Sequence, residues 1–313
     1  MKLQQLRYLV EVARQGLNMS EAAEALYTSQ PGVSKQIKLL EDEIGVTVFE
    51  RSGKRLTNIT EPGKAVLEIA ERLLREAENI KRVGKSYAGG DSGRLVMATT
   101  HTQARYVLPP IVARFIARYP KVALSMRQGS PTQIAEWTVK GEVDIAIATE
   151  GLDRYPQLLM LPCYQWTHCV IAPTNHPILT SGTLSLGELA RWPLITYDPA
   201  FAGRTRINKA FELAALQARV VLSAMDADVI KTYVSLGLGL GIVAHQAYDA
   251  ERDQGLVALP AGHLFGENTT HIGLRRGVHI RRFEYDFIEL FAPQLKQHVI
   301  DKAMQGKADE YDL

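Results

Sequence analysis

The N-terminal fold is decided by residues 20–40, SEAAEALYTSQPGVSKQIKLL. We expect Ser20 to cap a first helix, because a serine in front of helix-forming residues accepts their free backbone N–H groups. A turn follows at residues 27 and 28, and Ser29 opens a second helix that runs through Leu40. Two helices joined by so tight a turn form a helix-turn-helix.

The second helix has two chemically different faces. Val33, Ile37 and Leu40 share one face at helical spacing and must pack inward. The opposite face carries small and polar groups that suit the major groove of DNA, where Gln and Ser reach base edges and Lys reaches phosphate or guanine. The residues expected to contact DNA from this helix are Ser29, Gln30, Pro31, Ser34, Lys35 and Lys38.

Residues 51–60 add three cations and no acid in a glycine-turned hairpin pattern. The pattern predicts a wing that touches phosphate or the minor groove through Arg51, Lys54 and Arg55. Any one of these cations taken alone is equally explained as a solvated surface charge. Residues 1–60 carry eight Lys and Arg against seven Asp and Glu, so the placement of the charges, and not their sum, favours DNA.

One long helix of about 26 residues is predicted after Thr60, with Pro62 in its first turn and no break before Gly84 or residues 89 and 90. Its apolar residues follow the a and d positions of a coiled coil, with Glu76 as the one flaw: Val66, Ile69, Leu73, Ile80, Val83 and Tyr87. A narrow apolar stripe between charged flanks favours a homodimer through this helix. The alternative is a long amphipathic helix packed on its own domain.

Beyond the glycine-rich residues 89–93, short β-rich runs alternate with helical patterns, which predicts βαβ units and a largely parallel sheet. The expected strands are residues 95–99, 123–126, 143–148, 169–172, 194–197, 220–223 and 241–244, and the expected helices are residues 108–118, 131–140, 204–215 and 226–236. Two similar α/β halves indicate a two-lobed binding domain with a cleft between the lobes. The expected organisation is a winged helix-turn-helix over 1–60, a dimerising helix over 61–88, a hinge over 89–93, a two-lobed domain over 94–302 and a polar tail over 303–313.

Composition agrees with a two-domain globular protein. The chain has 313 residues, 46% apolar and 22% charged, and a net charge of +2, which by itself indicates neither a nucleic acid nor a membrane partner. The N-terminus lacks the apolar core of a secretory signal, and no run of 18 apolar residues suggests a membrane span. We therefore expect a cytoplasmic protein with no membrane partner.

An ordered series of residues runs through the N-terminal motif: Ala22, Ala23, Leu26, residues 29–34, Gln36, Ile37, Leu40, Glu41, Gly45, Phe49, Arg51, Leu56, Thr57 and Gly63. This series resembles the winged helix-turn-helix of LysR-type transcriptional regulators. The resemblance implies an α/β fold in which this motif, a linker helix and a two-lobed, periplasmic-binding-protein-like effector domain follow one another. It also implies a homotetramer built from dimers, binding to inverted repeats in double-stranded promoter DNA, and contact with RNA polymerase.

Two turns at the carboxyl ends of predicted strands offer hydroxyls next to a helix N-terminus. They are residues 99–105, TTHTQAR, and residues 129–133, GSPTQ, in which Ser130 is the expected N-cap. Open α/β sheets bind ligands at such ends, and a helix N-terminus favours an anion. The alternative is that Thr102 and Ser130 merely cap helices.

Residues 98–106, 128–134, 160–164 and 226–234 are similar to the CysB-like subgroup of this family, regulators of sulfur assimilation and cysteine biosynthesis. The similarity implies a small anionic effector, namely sulfate, O-acetylserine or N-acetylserine. The ligand-binding residues implied by this similarity are Thr100, Thr102, Gln103, Ser130, Thr132, Thr149, Trp166, Ala202 and Gly203. The subgroup commonly has threonine where this chain has Ala202, and losing that hydroxyl removes a hydrogen bond worth about 0.5–1.5 kcal/mol.

No catalytic, cofactor or metal-binding pattern emerges from the sequence. Cys163, His168 and Cys169 fit no common zinc spacing, and we expect the two cysteines to be reduced, buried thiols. Arg275, Arg276, Arg281 and Arg282 are interpreted as a solvated helix start, with a subunit or DNA contact as the alternative. The rival to a regulator is a solute-binding protein or an enzyme that uses the two-lobed cleft.

Overall fold

The computed structural model describes residues 1–53, 55–89, 92–180, 182–201 and 203–306, with the backbone alone for 85–89. The chain divides into two compact units, Met1–Ala88 and Gly89–Leu313. Several sequence predictions lie outside the described residues: those for Lys54 in the wing, Ala202 in the cleft, the middle of the hinge, the Tyr87 side chain and the tail from residue 307.

The first unit is built from four helices and a two-stranded hairpin: α1 (Leu3–Arg14), α2 (Met19–Ala25), α3 (Gln30–Ile44), β1 (Phe49–Ser52), β2 (Arg55–Ile59) and α4 (Glu61–Gly89). β1 and β2 pair antiparallel. Val33, Ile37 and Leu40 are fully buried, as the helical spacing predicts, and they pack with apolar residues of α1 and α2. The helix-turn-helix is therefore held by one small shared core.

The cap of α2 differs from the sequence prediction. Asn18, and not Ser20, accepts the backbone N–H groups of Ser20 and Glu21, at 3.0 and 3.3 Å. The helix begins at Met19, so Ser20 lies inside the first turn. The second helix of the motif, α3, also runs beyond Leu40 to Ile44, where Gly45 ends it in a left-handed conformation with φ of 74°.

The long helix α4 begins where the sequence predicts. The Thr60 hydroxyl accepts the N–H of Gly63 at 2.9 Å, and the helix continues through Gly89. Leu67 and Ala70 are buried in the core of the first unit, so the start of α4 packs on its own domain. Four residues of the predicted seam remain exposed on another face of the helix: Ile69, Leu73, Ile80 and Val83.

The second unit contains two lobes. The first lobe holds β3 (Gly93–Thr99), α5 (Pro109–Arg118), β4 (Val122–Gln128), α6 (Pro131–Val139) and β5 (Ile145–Ala148), and β6 (Leu158–Pro173) leads out of it. The second lobe holds α7 (Leu186–Ala190), β7 (Leu194–Tyr197), α8 (Arg204–Leu213), β8 (Val220–Ala224), α9 (Ala227–Ser235), β9 (Leu240–Ala244), β10 (Leu256–Pro260) and α10 (Gly262–Phe265). The chain returns through β11 (Glu267–Arg275) to α11 (Arg282–Phe291) and α12 (Gln297–Met304) in the first lobe.

The sheet is less parallel than the sequence predicts. Its order is β4-β3-β5-β11-β6-β9-β7-β8, with β10 also paired to β6. β3 pairs parallel with β4 and β5, and β7 pairs parallel with β8 and β9. β6 and β11 are antiparallel to each other and to their other partners, because the chain crosses from the first lobe on β6 and comes back on β11.

The β6–β11 ladder is interrupted once. Thr270 pairs with Tyr164, whereas the next residue, His271, pairs with Pro162, so Cys163 forms a bulge. Its carbonyl accepts a hydrogen bond from Gln294 Nε2 at 2.5 Å. The bulge is therefore satisfied by a side chain from outside the sheet.

Two further sequence predictions are wrong. Arg281 is not a solvated cation, because its guanidinium lies 3.2 Å from Asp144, pairs with Glu284 and is only 15% exposed. The predicted tail does not begin at residue 303, since Ala303 is buried in α12.

Among the helices described, none has both the length and the apolar character needed to cross a membrane.

Candidate DNA interface and effector cleft

The outer face of α3 presents most of the residues predicted to contact DNA. Ser29, Gln30, Pro31, Lys35 and Lys38 are exposed, whereas Ser34 is half-buried. The Ser29 hydroxyl accepts the N–H of Gly32 at 3.3 Å and so caps the helix. Gln30 is therefore the first residue of α3, at the end that meets base edges in helix-turn-helix proteins.

The wing is anchored to α3 by a buried carboxylate. Glu41 Oε1 accepts the N–H groups of Val48 and Phe49 at 2.8 and 3.2 Å, and Oε2 lies 3.4 Å from the Arg51 guanidinium. Arg55 is exposed on the other strand of the hairpin. The anchor fixes where the basic side of the wing lies relative to the recognition helix.

The recognition helix and the wing border the same hollow, which has a volume of about 440 Å³. Gln30 of α3 and Arg55 of β2 line it together with Asn18 and Ser20 at the start of α2. The side chains predicted to contact a base and a phosphate are thus brought to one surface.

The turn after β3 is largely buried. Ala104 N–H donates to the Thr100 carbonyl at 3.1 Å, so the N–H groups before Ala104 lie at the N-terminal end of this turn. Thr102 is buried and faces the side chain of Tyr197 at the end of β7 in the other lobe. Gln103 uses its side chain internally, accepting from Tyr164 at 2.5 Å and donating to Thr270 at 3.2 Å. Backbone N–H groups and the Thr100 hydroxyl are the donors that this turn offers to an anion.

Ser130 and Thr132 occupy the turn after β4. The Ser130 hydroxyl accepts the N–H of Gln133 at 3.3 Å, and the Gln133 side chain accepts the N–H of Ser130 at 2.9 Å. Ser130 therefore caps α6, and its hydroxyl hydrogen is left to donate elsewhere. Thr132 is exposed in the first turn of α6.

Thr149 and Trp166 are brought together. Thr149 directly follows β5, and its hydroxyl accepts from Trp166 Nε1 at 3.3 Å. Trp166 is 7% exposed and meets the ring of His168 edge-on, with the ring centroids 5.0 Å apart.

Gly203 meets this region from the second lobe. A side chain there is excluded, because a Cβ would lie 2.7 Å from His168 Cε1 and 2.8 Å from Asn268 Oδ1, and φ is +71°. The Gly203 N–H faces the carboxylate of Glu150, the residue after Thr149. The turns after β3, β5 and β7 therefore meet at one place between the lobes.

Sequence reasoning missed Glu150. It lines a cavity of about 510 Å³ that also receives Arg154 from the first lobe and Arg206 and Lys209 from α8. Burial raises the pKa of the Glu150 carboxyl, against the effects of the Gly203 N–H and of the two arginines. Thr100 and Ser130 were predicted because ligands bind at the carboxyl ends of parallel strands. The same rule applied to β5 would have pointed to Glu150.

A second unforeseen contact across the cleft centres on Asp228 of α9. Its carboxylate accepts from Tyr106 Oη at 2.6 Å and lies 3.4 Å from Arg105 and 3.3 Å from Lys231. Burial alone would raise the Asp228 pKa, but Tyr106, Lys231 and Arg105 outweigh it and hold this pKa below its usual value.

His101, Asp226 and Asp228 offer ligand atoms within 4.8 Å of one another. Their existing partners oppose a metal ion. Asp226 caps α9 by accepting from Val229 N–H at 2.9 Å, and Asp228 already faces two cationic side chains.

Cys163 and Cys169 are buried free thiols, and burial raises the pKa of each to about 12.

A winged helix-turn-helix with a two-lobed cleft domain defines a ligand-responsive, DNA-binding transcriptional regulator. Residues 3–64 match the bacterial regulatory helix-turn-helix protein, lysR family, and residues 88–296 match the LysR substrate binding domain. The chain therefore belongs to the LysR family of transcriptional regulators, whose members are non-enzymatic DNA-binding proteins.

Named relatives extend over the whole chain. It is 53% identical over 313 residues to the HTH-type transcriptional regulator CysB of Burkholderia cenocepacia, covering 100% of both chains. It is 55% identical over 297 residues to the regulator SsuR of the same organism, covering 95% of this chain and 96% of SsuR. The crystal structure of the cofactor-binding domain of the Cbl regulator, at 44% identity, superposes with a TM-score of 0.66 over 68% of this chain and 93% of that one. These matches confirm the predicted regulator and its relation to the sulfur regulators, in place of a solute-binding protein or an enzyme.

Proposed function

We propose that this regulator controls genes of sulfur assimilation and cysteine biosynthesis in response to a small anionic effector bound between the lobes. The relation to CysB, SsuR and Cbl supports the class of genes. The single observation that supports the site is the meeting of three turns, which carry Thr102, Thr149 and Gly203, at one place in the cleft. Sulfate, O-acetylserine and N-acetylserine are the effectors that suit such N–H and hydroxyl donors.

On the DNA side, we propose that dimers bind the half-sites of an interrupted inverted repeat. The exposed apolar stripe of α4, which includes Ile69, Leu73, Ile80 and Val83, suits pairing with a second copy of the helix. Effector binding changes how the lobes and subunits pack, and α4 passes this change to the spacing of the recognition helices. The same proposal includes a homotetramer made from two dimers, contact with RNA polymerase and action in the cytoplasm.

Footprinting tests the regulatory proposal directly. The full-length protein is footprinted on promoters of sulfur-assimilation genes, without effector and with sulfate, O-acetylserine or N-acetylserine. We expect one of the three to change the protected region or its half-maximal concentration by about 5- to 150-fold, the usual range of allosteric coupling. Protection that none of the three alters would contradict the proposed effectors.

A pair of substitutions tests the DNA contacts. Gln30→Ala should weaken binding to the promoter site by about 1–3 kcal/mol and relax its sequence preference. Arg55→Ala should weaken binding to every sequence and reduce the slope of affinity against salt by about one unit. Equal behaviour of the two variants on specific and scrambled DNA would show that the assignment of base and phosphate contacts is wrong.

Thr102→Val tests the cleft. The variant keeps the shape of the side chain but loses its hydroxyl, and we expect it to abolish the calorimetric signal of the effector while basal DNA binding persists. Thr138→Val is the matched control, because that buried hydroxyl donates to the Ile134 carbonyl within α6 at 2.7 Å. Effector affinity that Thr102→Val leaves unchanged would move the site elsewhere.

A further inference from the structure

The turn after β3 is tied to the second lobe by the residues that follow it. This turn holds Thr100 and the backbone N–H groups that are offered to an anion, and the chain continues directly into the helical turn Gln103–Val107. From there Tyr106 reaches across the cleft, and its ring packs against the core of the second lobe, to which α9 contributes. The proposed anion donors of the first lobe therefore lie next to a side chain that is seated in the second.

Asp228 of α9 contacts this segment with both of its carboxylate oxygens. Oδ1 accepts from Tyr106 Oη at 2.6 Å. Oδ2 lies 3.4 Å from Arg105 Nε and 3.7 Å from His101 Nε2. All three partners belong to residues 101–106 of the first lobe, so a single carboxylate of the second lobe holds the segment at three points.

Lys231 fixes the position of Asp228 within the second lobe. Its ammonium lies 3.3 Å from Asp228 Oδ1 and 2.9 Å from Asp253, and it donates to the Ala247 carbonyl at 3.0 Å. The Lys231 side chain is only 10% exposed, and its ammonium lies 4.9 Å from the centroid of the Tyr106 ring, a cation–π distance. The carboxylate that receives Tyr106 is therefore held by a largely buried network.

We propose that Asp228 is a positioning residue for the effector: through Tyr106 and Arg105 it holds the turn after β3 in the conformation that receives an anion. This inference rests on the proposed function, in which that turn supplies the anion donors. When a binding-competent conformation is only partly populated, the apparent dissociation constant rises by the inverse of its fraction. Asp228 keeps this fraction high, so it acts on the effector through the turn and not by direct contact.

The sign of the effect separates positioning from electrostatics. A carboxylate close to an anion site repels the anion, so removal of Asp228 would by itself tighten anion binding. The positioning role predicts the opposite, because without Asp228 the turn after β3 leaves its binding conformation for part of the time. Weaker binding after the loss of a nearby negative charge is a result that electrostatics alone does not produce.

Calorimetric titration of the full-length protein with sodium sulfate tests the proposal. Asp228→Ala removes all three contacts with the first lobe, and we expect sulfate to bind about tenfold more weakly than to the parent protein. Tyr106→Phe keeps the ring and removes only the hydroxyl, so we expect a loss of about threefold. The double variant should bind no more weakly than Asp228→Ala, since the Tyr106 hydroxyl has lost its acceptor there already.

Tyr248→Phe is the matched control. The Tyr248 ring packs against the same core of the second lobe, and its hydroxyl donates to the Leu256 carbonyl at 3.0 Å within that lobe. Both tyrosine variants lose one hydroxyl beside the same core, but only Tyr106→Phe loses a contact between the lobes. We expect the sulfate affinity of Tyr248→Phe to stay within about twofold of the parent protein.

Amide hydrogen exchange without effector measures the position of the turn independently of ligand binding. Peptides from residues 99–107 should exchange faster in Asp228→Ala and Tyr106→Phe than in the parent protein, because the segment has lost its attachment to the second lobe. Peptides from β7 should keep their exchange rates, since Asp228 and Tyr106 support the turn and not the sheet. A general loss of stability would instead raise exchange in both regions.

Several results would overturn the proposal. Sulfate affinity that is unchanged or higher in Asp228→Ala would leave only electrostatic repulsion, and an equal loss in Tyr248→Phe would reduce the effect to general stability. Unchanged exchange at residues 99–107, or undetectable sulfate binding by the parent protein, would also refute the positioning role. Should Asp228→Ala fail to fold, Tyr106→Phe and its control decide. Failure of the proposed function looks different, because the variants then lose sulfate affinity while no effector alters the promoter footprint.

Discussion

Glu41 provides the sharpest test of how the DNA-binding unit is held together. The residue is 8% exposed, and a single carboxylate oxygen, Oε1, accepts two buried N–H groups from the start of the wing. The other oxygen faces the Arg51 guanidinium, which is one-third exposed. The backbone N–H groups and the Arg51 cation therefore contact different oxygens of the carboxylate, and two substitutions separate the two interactions.

Glu41→Ala removes both oxygens and leaves the N–H groups of Val48 and Phe49 buried without an acceptor. Hydrogen bonds to a charged group contribute about 1.5–3 kcal/mol each, and since the two share one oxygen we expect a total loss of about 3 kcal/mol. Glu41→Gln keeps an acceptor at the position of Oε1 and loses only the ion pair with Arg51. A partly exposed pair of this kind contributes about 1 kcal/mol or less.

Amide hydrogen exchange of the full-length protein, followed by mass spectrometry on peptides from residues 1–60, measures both losses in one experiment. Each 1.4 kcal/mol corresponds to about a tenfold rise in the exchange rate of amides protected by unfolding of this unit. We expect about a hundredfold rise for Glu41→Ala and about fivefold for Glu41→Gln, with peptides of the second unit unaffected. Equal losses in the two variants would refute the acceptor role and assign the effect to charge.

Three further expectations follow from contacts described above. Gly63→Ala places a Cβ 2.3 Å from the carbonyl oxygen of Val48 and should destabilise the first unit by about 1–3 kcal/mol in the same exchange assay. Gly84→Ala lies in the same helix with open space around it and should be neutral or stabilising. Similar losses of stability in the two variants would contradict the steric cause. Asp228→Asn should lower the free energy of unfolding of the second unit by about 1 kcal/mol at pH 7, as measured by urea unfolding. Because the pKa of Asp228 is lowered in the folded protein, the difference between the variant and the parent should disappear as the pH falls below about 3.9. A difference that persists in acid would contradict the ion-pair explanation. Cys163 and Cys169, with pKa values raised to about 12 by burial, should resist a thiol reagent at pH 8 until the protein is unfolded, and rapid labelling of the native protein would contradict their burial.

Local periodicity was sufficient for the elements with a strong repeating pattern. The inward face of α3 and strand β7 are where the sequence places them, because helical or strand spacing acts within a few residues. The first half of β6 and all of β11 escaped notice, since β11 begins with the polar run ENTTH. Their pairing is antiparallel and long-range, and no local pattern encodes the return of the chain.

In the candidate site, too, local sequence patterns predicted some residues, whereas contacts between distant residues could not be predicted. Thr102, Thr149 and Gly203 were expected to bind a ligand, and these assignments remain predictions, although the fold brings their turns together. Arg281 was misjudged because its partner Asp144 is distant in sequence, and only the fold shows that the guanidinium is buried. Glu150 is comparable: it shares a cavity with Arg206 and Lys209 of the other lobe, which are distant from it in sequence.

The bulge at Cys163 has a mechanical consequence. It lies within the part of β6 that pairs with β11, before β9 of the second lobe begins to pair at His168, on one of the two strands that the lobes share. A bulge adds twist and bending to its strand, so the backbone torsions at Cys163 contribute to the angle between the two lobes. Gln294, which donates to the bulged carbonyl, helps to hold those torsions in place.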